Sequence, residues 1–152
     1  MRERGLERFC RFPGHVSHDE VPRYLGLADV ALAPFDNRAY EPLERFGFFW
    51  SPAKIFEYMA CCLPVVTTDQ DYLQQVVEGS GAGVCLPQND TSAIAEGLLR
   101  LLEDPAQRGQ MGRAGRRAVV ESFSWQAHVE QLAGILQGLS VGRGRHCEPA
   151  AR

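Results

Sequence analysis

The 152-residue chain predicts an α/β fold in which a parallel sheet is covered by helices on both faces, and three observations carry that expectation. Short apolar runs alternate with longer amphipathic stretches, as in strand–helix–strand units. One run, Val30-Ala-Leu-Ala33, is apolar at every position, the mark of a strand buried on both faces. Helix-start signals, chiefly Ser, Asp and Asp-Pro, stand just before the amphipathic stretches.

Taken in order, Arg8 to Phe12 reads as a short strand closed by the Pro13-Gly14 turn. Ser17-His-Asp-Glu20 has the spacing of a capping box, with Ser17 and Glu20 each satisfying a backbone N–H, and predicts a helix to about Leu27. The strand at 30–33 follows, then a long polar and aromatic loop from Phe35 to Trp50. Ser51-Pro52 predicts a helix with serine as N-cap and proline at the first helical position. Pro64 to Thr68 is a strand, Asp71 to Glu78 a helix with Asp69 as its cap, and Gly83 to Leu86 a strand. Asp90 caps a helix to about Glu103, and Asp104-Pro105 opens the next. Ser124 caps the last, which carries Trp125, Val129, Leu132, Ile135 and Leu136 as an apolar stripe. From Gly138 onward the chain has no periodicity and reads as a tail, so that 1–137 forms the domain and 138–152 a disordered end.

Composition excludes several classes. A net charge of −3 lacks the concentrated basic surface that nucleic acid requires. The cluster Arg113, Arg116 and Arg117 reads as a solvated helix face. No apolar run approaches the roughly 20 residues that span a bilayer. The start, Met-Arg-Glu-Arg-Gly-Leu-Glu-Arg, has no secretory signal character. Five cysteines at 10, 61, 62, 85 and 147, without a C-x-x-C pair, argue for reduced thiols in a cytoplasmic protein and against a zinc site. No metal or tightly held cofactor is expected.

The chemistry concentrates in Phe46 to Val66. With about 100 degrees per residue, Lys54, Glu57, Tyr58 and Cys61 share one face of the helix, and Ile55, Phe56, Met59 and Ala60 the other. The N-terminus of that helix, after a loop holding Gly47, offers free N–H groups and a partial positive charge suited to phosphate. A carboxylate one turn further in suits a pair of sugar hydroxyls. The plain alternative is an amphipathic helix whose Lys54 and Glu57 form a surface pair worth a few tenths of a kcal/mol. Lys54 is the only lysine in a chain otherwise using arginine, which favours a specific need for a compact ammonium. A flavodoxin-like regulator would need a phospho-acceptor, for which Asp69 is the one candidate. No G-x-G-x-x-G loop or P-loop occurs.

Ser51-Pro-x-Lys-x-x-Glu-Tyr-Met-Ala60, followed by Pro64-Val-Val66, resembles the donor-site signature of retaining GT-B glycosyltransferases, the sucrose- and glycogen-synthase-like superfamily. Phe12-Pro-Gly-His-Val16, Val21-Pro-Arg-Tyr-Leu25 and Ala28-Asp-Val30 resemble the elements before that site. Gly81-Ala-Gly-Val84, Met111-Gly-Arg-Ala-Gly115 and Phe123-Ser-Trp125 resemble those after it. The likeness covers about residues 9 to 136. It implies the Rossmann-like C-terminal half of a GT-B fold, incomplete at its start, and a nucleoside diphosphate sugar as donor substrate. The acceptor, and the N-terminal domain that would bind it, are not represented. Glu57 would hold the ribose hydroxyls, and the N–H groups around Gly47 and Phe48 would face the diphosphate and sugar. The donor-binding candidates are thus Glu57, Lys54, Gly47, Phe48, Ser51 and Tyr58, with no catalytic residue assigned.

Two departures stand out. Many members carry a second glutamate eight positions before the ribose glutamate, where this chain has Phe49. Glu41 and Glu44 have the wrong spacing to replace it. Cys62 occupies a position where relatives have glycine, at a cost on the order of 1 kcal/mol if the backbone is left-handed there. The expected function is transfer of a sugar with retention, with this stretch alone inactive. The alternative is a non-catalytic nucleotide-sugar-binding or docking module completed by a partner chain.

Overall fold

The computed structural model describes residues 4–36, 41–47 and 51–142. Its centre is a three-stranded parallel sheet of β1 (Ala31–Ala33), β2 (Val65–Thr68) and β3 (Gly83–Leu86), in that spatial order. Ala31, Leu32 and Ala33 stand opposite Val65, Val66 and Thr67, and Val65 through Thr68 opposite Gly83 through Leu86. Around the sheet lie α1 (Val21–Leu25), α2 (Glu41–Phe46), α3 (Ala53–Ala60), α4 (Asp71–Leu73, continuing as a π-helical turn over Gln74–Glu78), α5 (Thr91–Glu103), α6 (Pro105–Ser122) and α7 (Trp125–Gly142).

β2 explains why the sheet is double-sided. All four of its residues are buried, and successive side chains of a strand point to opposite faces. Val65 joins Ile55 and Met59 of α3, Leu73 of α4, and Val76 and Val77 in one core cluster. Thr68 shares a pocket with Ile94, Ala95 and Leu98 of α5. Two threonine hydroxyls pin β1 to β2: Thr67 Oγ1 donates to the Ala33 carbonyl at 2.7 Å, and Thr68 Oγ1 to the Phe35 carbonyl at 2.9 Å.

α6 lies against α3 because two glycines of the 111–115 segment let it. A Cβ at Gly112 would overlap the Cys62 carbonyl, and one at Gly115 would sit 3.0 Å from Ala82 and 3.3 Å from Met59. The Arg116 guanidinium donates to the Ala60 carbonyl at 2.8 Å, satisfying one of the orphan acceptors at the end of α3. Arg113, Arg116 and Arg117 are all exposed. Asp90 and Asp104 cap α5 and α6 as expected, accepting from the N–H of Ala93 and Gln107, each at 2.9 Å.

Several expectations are corrected. Residues 8–12 are not a strand: Glu7–Phe9 is a 3₁₀ turn followed by irregular backbone, with Phe9 and Phe12 exposed. Strand formation needs a partner ladder, which local propensity does not supply. β1 is therefore an edge among the described residues, and Leu32 is 42% exposed rather than buried on both faces. Ser17 donates its hydroxyl to the Glu20 carboxylate at 2.7 Å instead of capping a backbone N–H. Ser51 is not the N-cap of α3. Pro52 holds that position in extended backbone, and the Ser51 hydroxyl meets the Tyr72 hydroxyl at 3.2 Å. Asp69 does not cap α4; its carboxylate accepts from the Gln88 N–H at 3.0 Å. α7 continues through Gly138 to Gly142.

Candidate functional site

α3 positions the site. Its apolar edge is anchored by Ile55 and Met59, both fully buried, so its orientation on the sheet is fixed by the core. The opposite edge divides in two. Glu57 and Ser51 line a cavity of about 540 Å³ with Ala53, Phe56, Tyr72, Phe123, Trp125 and His128. Lys54 turns the other way, its Nζ standing 5.1 Å from the centre of the Phe35 ring, a cation–π contact. No ion pair joins Lys54 to Glu57 among the described residues, so the surface-pair reading of this helix does not describe it.

Tyr58 packs part-buried against the core cluster, and its phenol is pushed above its ordinary range, first by burial and then by the Glu57 charge. It packs on the core and is not among the residues that line the Glu57 cavity. Cys61, further along the same face, is likewise raised by burial first, then by Cys62, with Arg116 opposing. Cys85 is pushed up to about 12 by burial and by Glu78 and Asp69. Cys61 and Cys85 are thus held as thiols, consistent with packing roles. No cluster of three or more His, Cys, Asp or Glu suited to a metal ion occurs among the described residues.

Gly47 adopts φ 73°, a left-handed conformation that glycine reaches without strain. It lines a neighbouring cavity of about 550 Å³ with Phe46, Asp69, Gln70, Asp71, Tyr72, Gln75 and Gln88. Tyr72 borders both cavities. Phe48 and Phe49 lie outside the described residues. The structure therefore brings Glu57 and Ser51 together, sets Gly47 beyond Tyr72, and places Lys54 on the Phe35 flank.

Six wall residues, Ala53, Phe56, Tyr72, Phe123, Trp125 and His128, were not assigned a site role from sequence. Phe123 and Trp125 stood in a quoted motif, and the Phe123 ring meets Phe56 at a tilt of 54°, with ring centres 5.2 Å apart. His128 is one turn beyond Trp125 on α7, and their rings stand 6.5 Å apart. Tyr72 carried no signal at all. The available signal was spacing: Trp125 and His128 are three apart and share a helix face.

The cavity thus joins one carboxylate to several aromatic walls beside a helix N-terminus. Among the described residues no helix is long and apolar enough to cross a membrane. Comparison with known proteins points the same way. The chain is 31% identical over 135 residues to an amylovoran biosynthesis glycosyltransferase of Erwinia amylovora, covering 89% of this chain and 32% of that protein. It is 31% identical over 143 residues to a glycogen synthase of Mycobacterium tuberculosis, covering 94% of this chain and 31% of that one. The fold superposes on sucrose-phosphate synthase from Thermosynechococcus elongatus with a TM-score of 0.75 at 26% identity, over 93% of this chain and 33% of that one. The chain spans about a third of the length of these relatives. The family model described as glycosyl transferases group 1 matches residues 1–118. On that match, and with the GT-B-like fold beneath it, the chain belongs to the glycosyl transferases group 1 family.

Proposed function

We propose that this chain is the donor-binding part of a glycosyltransferase that moves a sugar from a nucleoside diphosphate sugar to an acceptor with retention. The observation that carries the reading is the setting of Glu57. Its carboxylate is half-buried at the rim of an aromatic-walled cavity, one turn into α3, and is not consumed by an ion pair with Lys54. A carboxylate so placed accepts hydrogen bonds from two adjacent ribose hydroxyls. The diphosphate then falls toward the start of α3, where the first-turn N–H groups and the helix dipole favour negative charge. Lys54, the one cation of that helix, stands on the Phe35 flank and not in the cavity wall. Gly47, in left-handed backbone, allows a close approach of main chain to the sugar phosphate.

Transfer also demands that an acceptor hydroxyl be held in line with the anomeric carbon. The cavity supplies the donor side. We propose that the acceptor side comes from another domain or from a partner chain, and that this chain alone binds donor without turnover. The choice of base, sugar and acceptor would follow from those further contacts.

Titration of the chain with UDP, GDP and ADP tests the reading. The expected result is selective binding of one of them with a dissociation constant of about 0.1–1 mM, or roughly −4 to −5.5 kcal/mol. Glu57→Gln should abolish that binding within the accessible range. Binding of all three that is indifferent to Glu57→Gln would overturn the assignment.

A further inference from the structure

Beyond Tyr72 lies the second cavity, of about 550 Å³, and its chemistry is the reverse of the first. The Glu57 cavity is walled by Phe56, Tyr72, Phe123 and Trp125. The second is walled by two carboxylates, Asp69 and Asp71, and three primary amides, Gln70, Gln75 and Gln88. It sits where a parallel sheet places its ligands, outside the carboxyl ends of the strands. Asp69 directly follows β2, and Gln88 stands two residues past β3. The start of α4 borders it as well, with Asp71 the first helical residue and Gln75 one turn on. From Gln74 that helix is π-helical, a rare form that recurs at functional sites.

Charge and hydrogen bonding say what such a cavity takes. Among the described residues no lysine, arginine or histidine lines it, so phosphate and carboxylate find no counter-charge there. Two carboxylates fall short of a metal site, and no group of three or more metal-ligating side chains occurs among the described residues. A neutral polyol fits, because carboxylates accept from its hydroxyls and amides both accept and donate. Asp71 and Gln75 are available for this: neither side chain bonds to another described residue. The two cavities meet at Tyr72, which lines both and whose hydroxyl stands 3.2 Å from that of Ser51 at the head of α3. A donor with its ribose at Glu57 and its diphosphate at the start of α3 therefore carries its sugar past Tyr72 into the polar cavity.

We propose that this polar cavity receives the sugar of the donor, that Asp71 and Gln75 bind its hydroxyls, and that the two aspartates exclude sugars carrying an anionic group. The proposal rests on the donor reading of Glu57 and follows the same molecule one group further. The chain thus makes the first cut among donors, neutral against acidic, and leaves the finer choice to contacts from elsewhere.

Calorimetric titration of the 152-residue chain with matched donors reads the outcome. The pairs are the glucose and glucuronate conjugates of UDP and of ADP, and the mannose and mannuronate conjugates of GDP. Within each pair a hydroxymethyl group is replaced by a carboxylate. In the pair whose nucleotide binds, the neutral donor should bind about five- to tenfold more tightly, the size of one or two like-charge contacts at a solvated surface. Asp71→Asn keeps the shape and removes the charge, and should bring that ratio to about threefold or less. Glu103→Gln removes the same charge outside the cavity and should leave the ratio where it was. Equal affinities in the unaltered chain overturn the proposal, as does a ratio that Asp71→Asn leaves unchanged or that Glu103→Gln lowers as much. The free nucleoside diphosphates separate this failure from that of the donor reading. If they bind through Glu57 while the paired donors bind alike, only the sugar assignment falls; if no nucleotide binds, both fall.

Discussion

Helices α3 and α7 both carry an apolar stripe read easily from sequence, and their fates are opposite. In α3 the stripe is spent inside the domain: Ile55 and Met59 are fully buried against β1, β2 and α6. In α7 residues of the same chemistry stand more than half exposed. Periodicity states which face of a helix seeks cover, and is silent on whether the cover is in the same body. Three of the donor-site candidates, Lys54, Glu57 and Tyr58, lie on the helix whose stripe is anchored, which is what a site needs. A carboxylate holds its position only when the backbone beneath it is fixed by packing.

The sharpest way to break this contrast is truncation of one residue from each stripe. Met59→Ala removes a fully buried side chain from the contact among α3, α6 and the sheet. It should cost about 2–5 kcal/mol, enough to threaten a fold of ordinary stability. Leu132→Ala in α7 should change monomer stability by less than about 0.5 kcal/mol. Chemical denaturation measures both. Equal effects would mean that the apolar stripe of α7 is packed into the body as that of α3 is.

A second test separates the two edges of α3 from each other. Glu57→Gln keeps the shape of the side chain and removes its charge. If the carboxylate grips two ribose hydroxyls, the change removes a charge-assisted interaction of roughly 1.5–3 kcal/mol. In an enzyme completed by its acceptor domain that amounts to about a ten- to hundredfold fall in kcat/KM. Unfolding free energy should move by only a few tenths of a kcal/mol, because no ion pair is broken. Full activity in Glu57→Gln would end the ribose assignment and leave the fold untouched.

How much of this was legible beforehand follows from how local each signal is. Asp90 and Asp104 cap their helices within three residues, so the starts of α5 and α6 could be read from the chain. The stretch from Ser51 to Val66 announced both a helix face and a buried strand, because β2 is apolar at its first two positions and enclosed on both sides. The expected strand at 8–12 failed for the converse reason: a strand exists through its neighbour, and nothing within five residues reports one. Leu32 fails in the same way, since the cover of an edge strand is a tertiary fact. Of the candidate site residues on α3, Glu57 lines the cavity, whereas the Lys54 ammonium, which the helical wheel sets on the same face, rests on Phe35, nineteen positions back in sequence. The aromatic wall joins Tyr72 of α4 to Phe123 and Trp125 at the turn between α6 and α7, two segments that only folding brings together.

The smallest expected effect concerns the C-terminal end of α3, and it runs toward stability. Cys62 has φ 59°, in the left-handed region where a side chain other than glycine's is disfavoured. The sequence already marked the position as one where glycine is usual, and the backbone there is indeed left-handed. The strain is tolerated because the segment is held from several sides. The Cys62 N–H donates to the Met59 carbonyl at 3.1 Å, and the Leu63 N–H to that of Tyr58 at 3.0 Å. Gly112 of α6 lies against the Cys62 carbonyl. The thiol itself is exposed, so it returns little packing energy for the conformation it forces. Cys62→Gly should relieve about 1 kcal/mol of backbone strain and give back part of it through the greater freedom of glycine in the unfolded chain. The net gain should be roughly 0.5 kcal/mol, read as a rise in denaturation midpoint at unchanged slope. Cys62→Ala keeps the Cβ and with it the strain, so it should leave stability nearly where it was. A gain of equal size from alanine would show that the thiol, and not the left-handed backbone, is what this end of α3 tolerates.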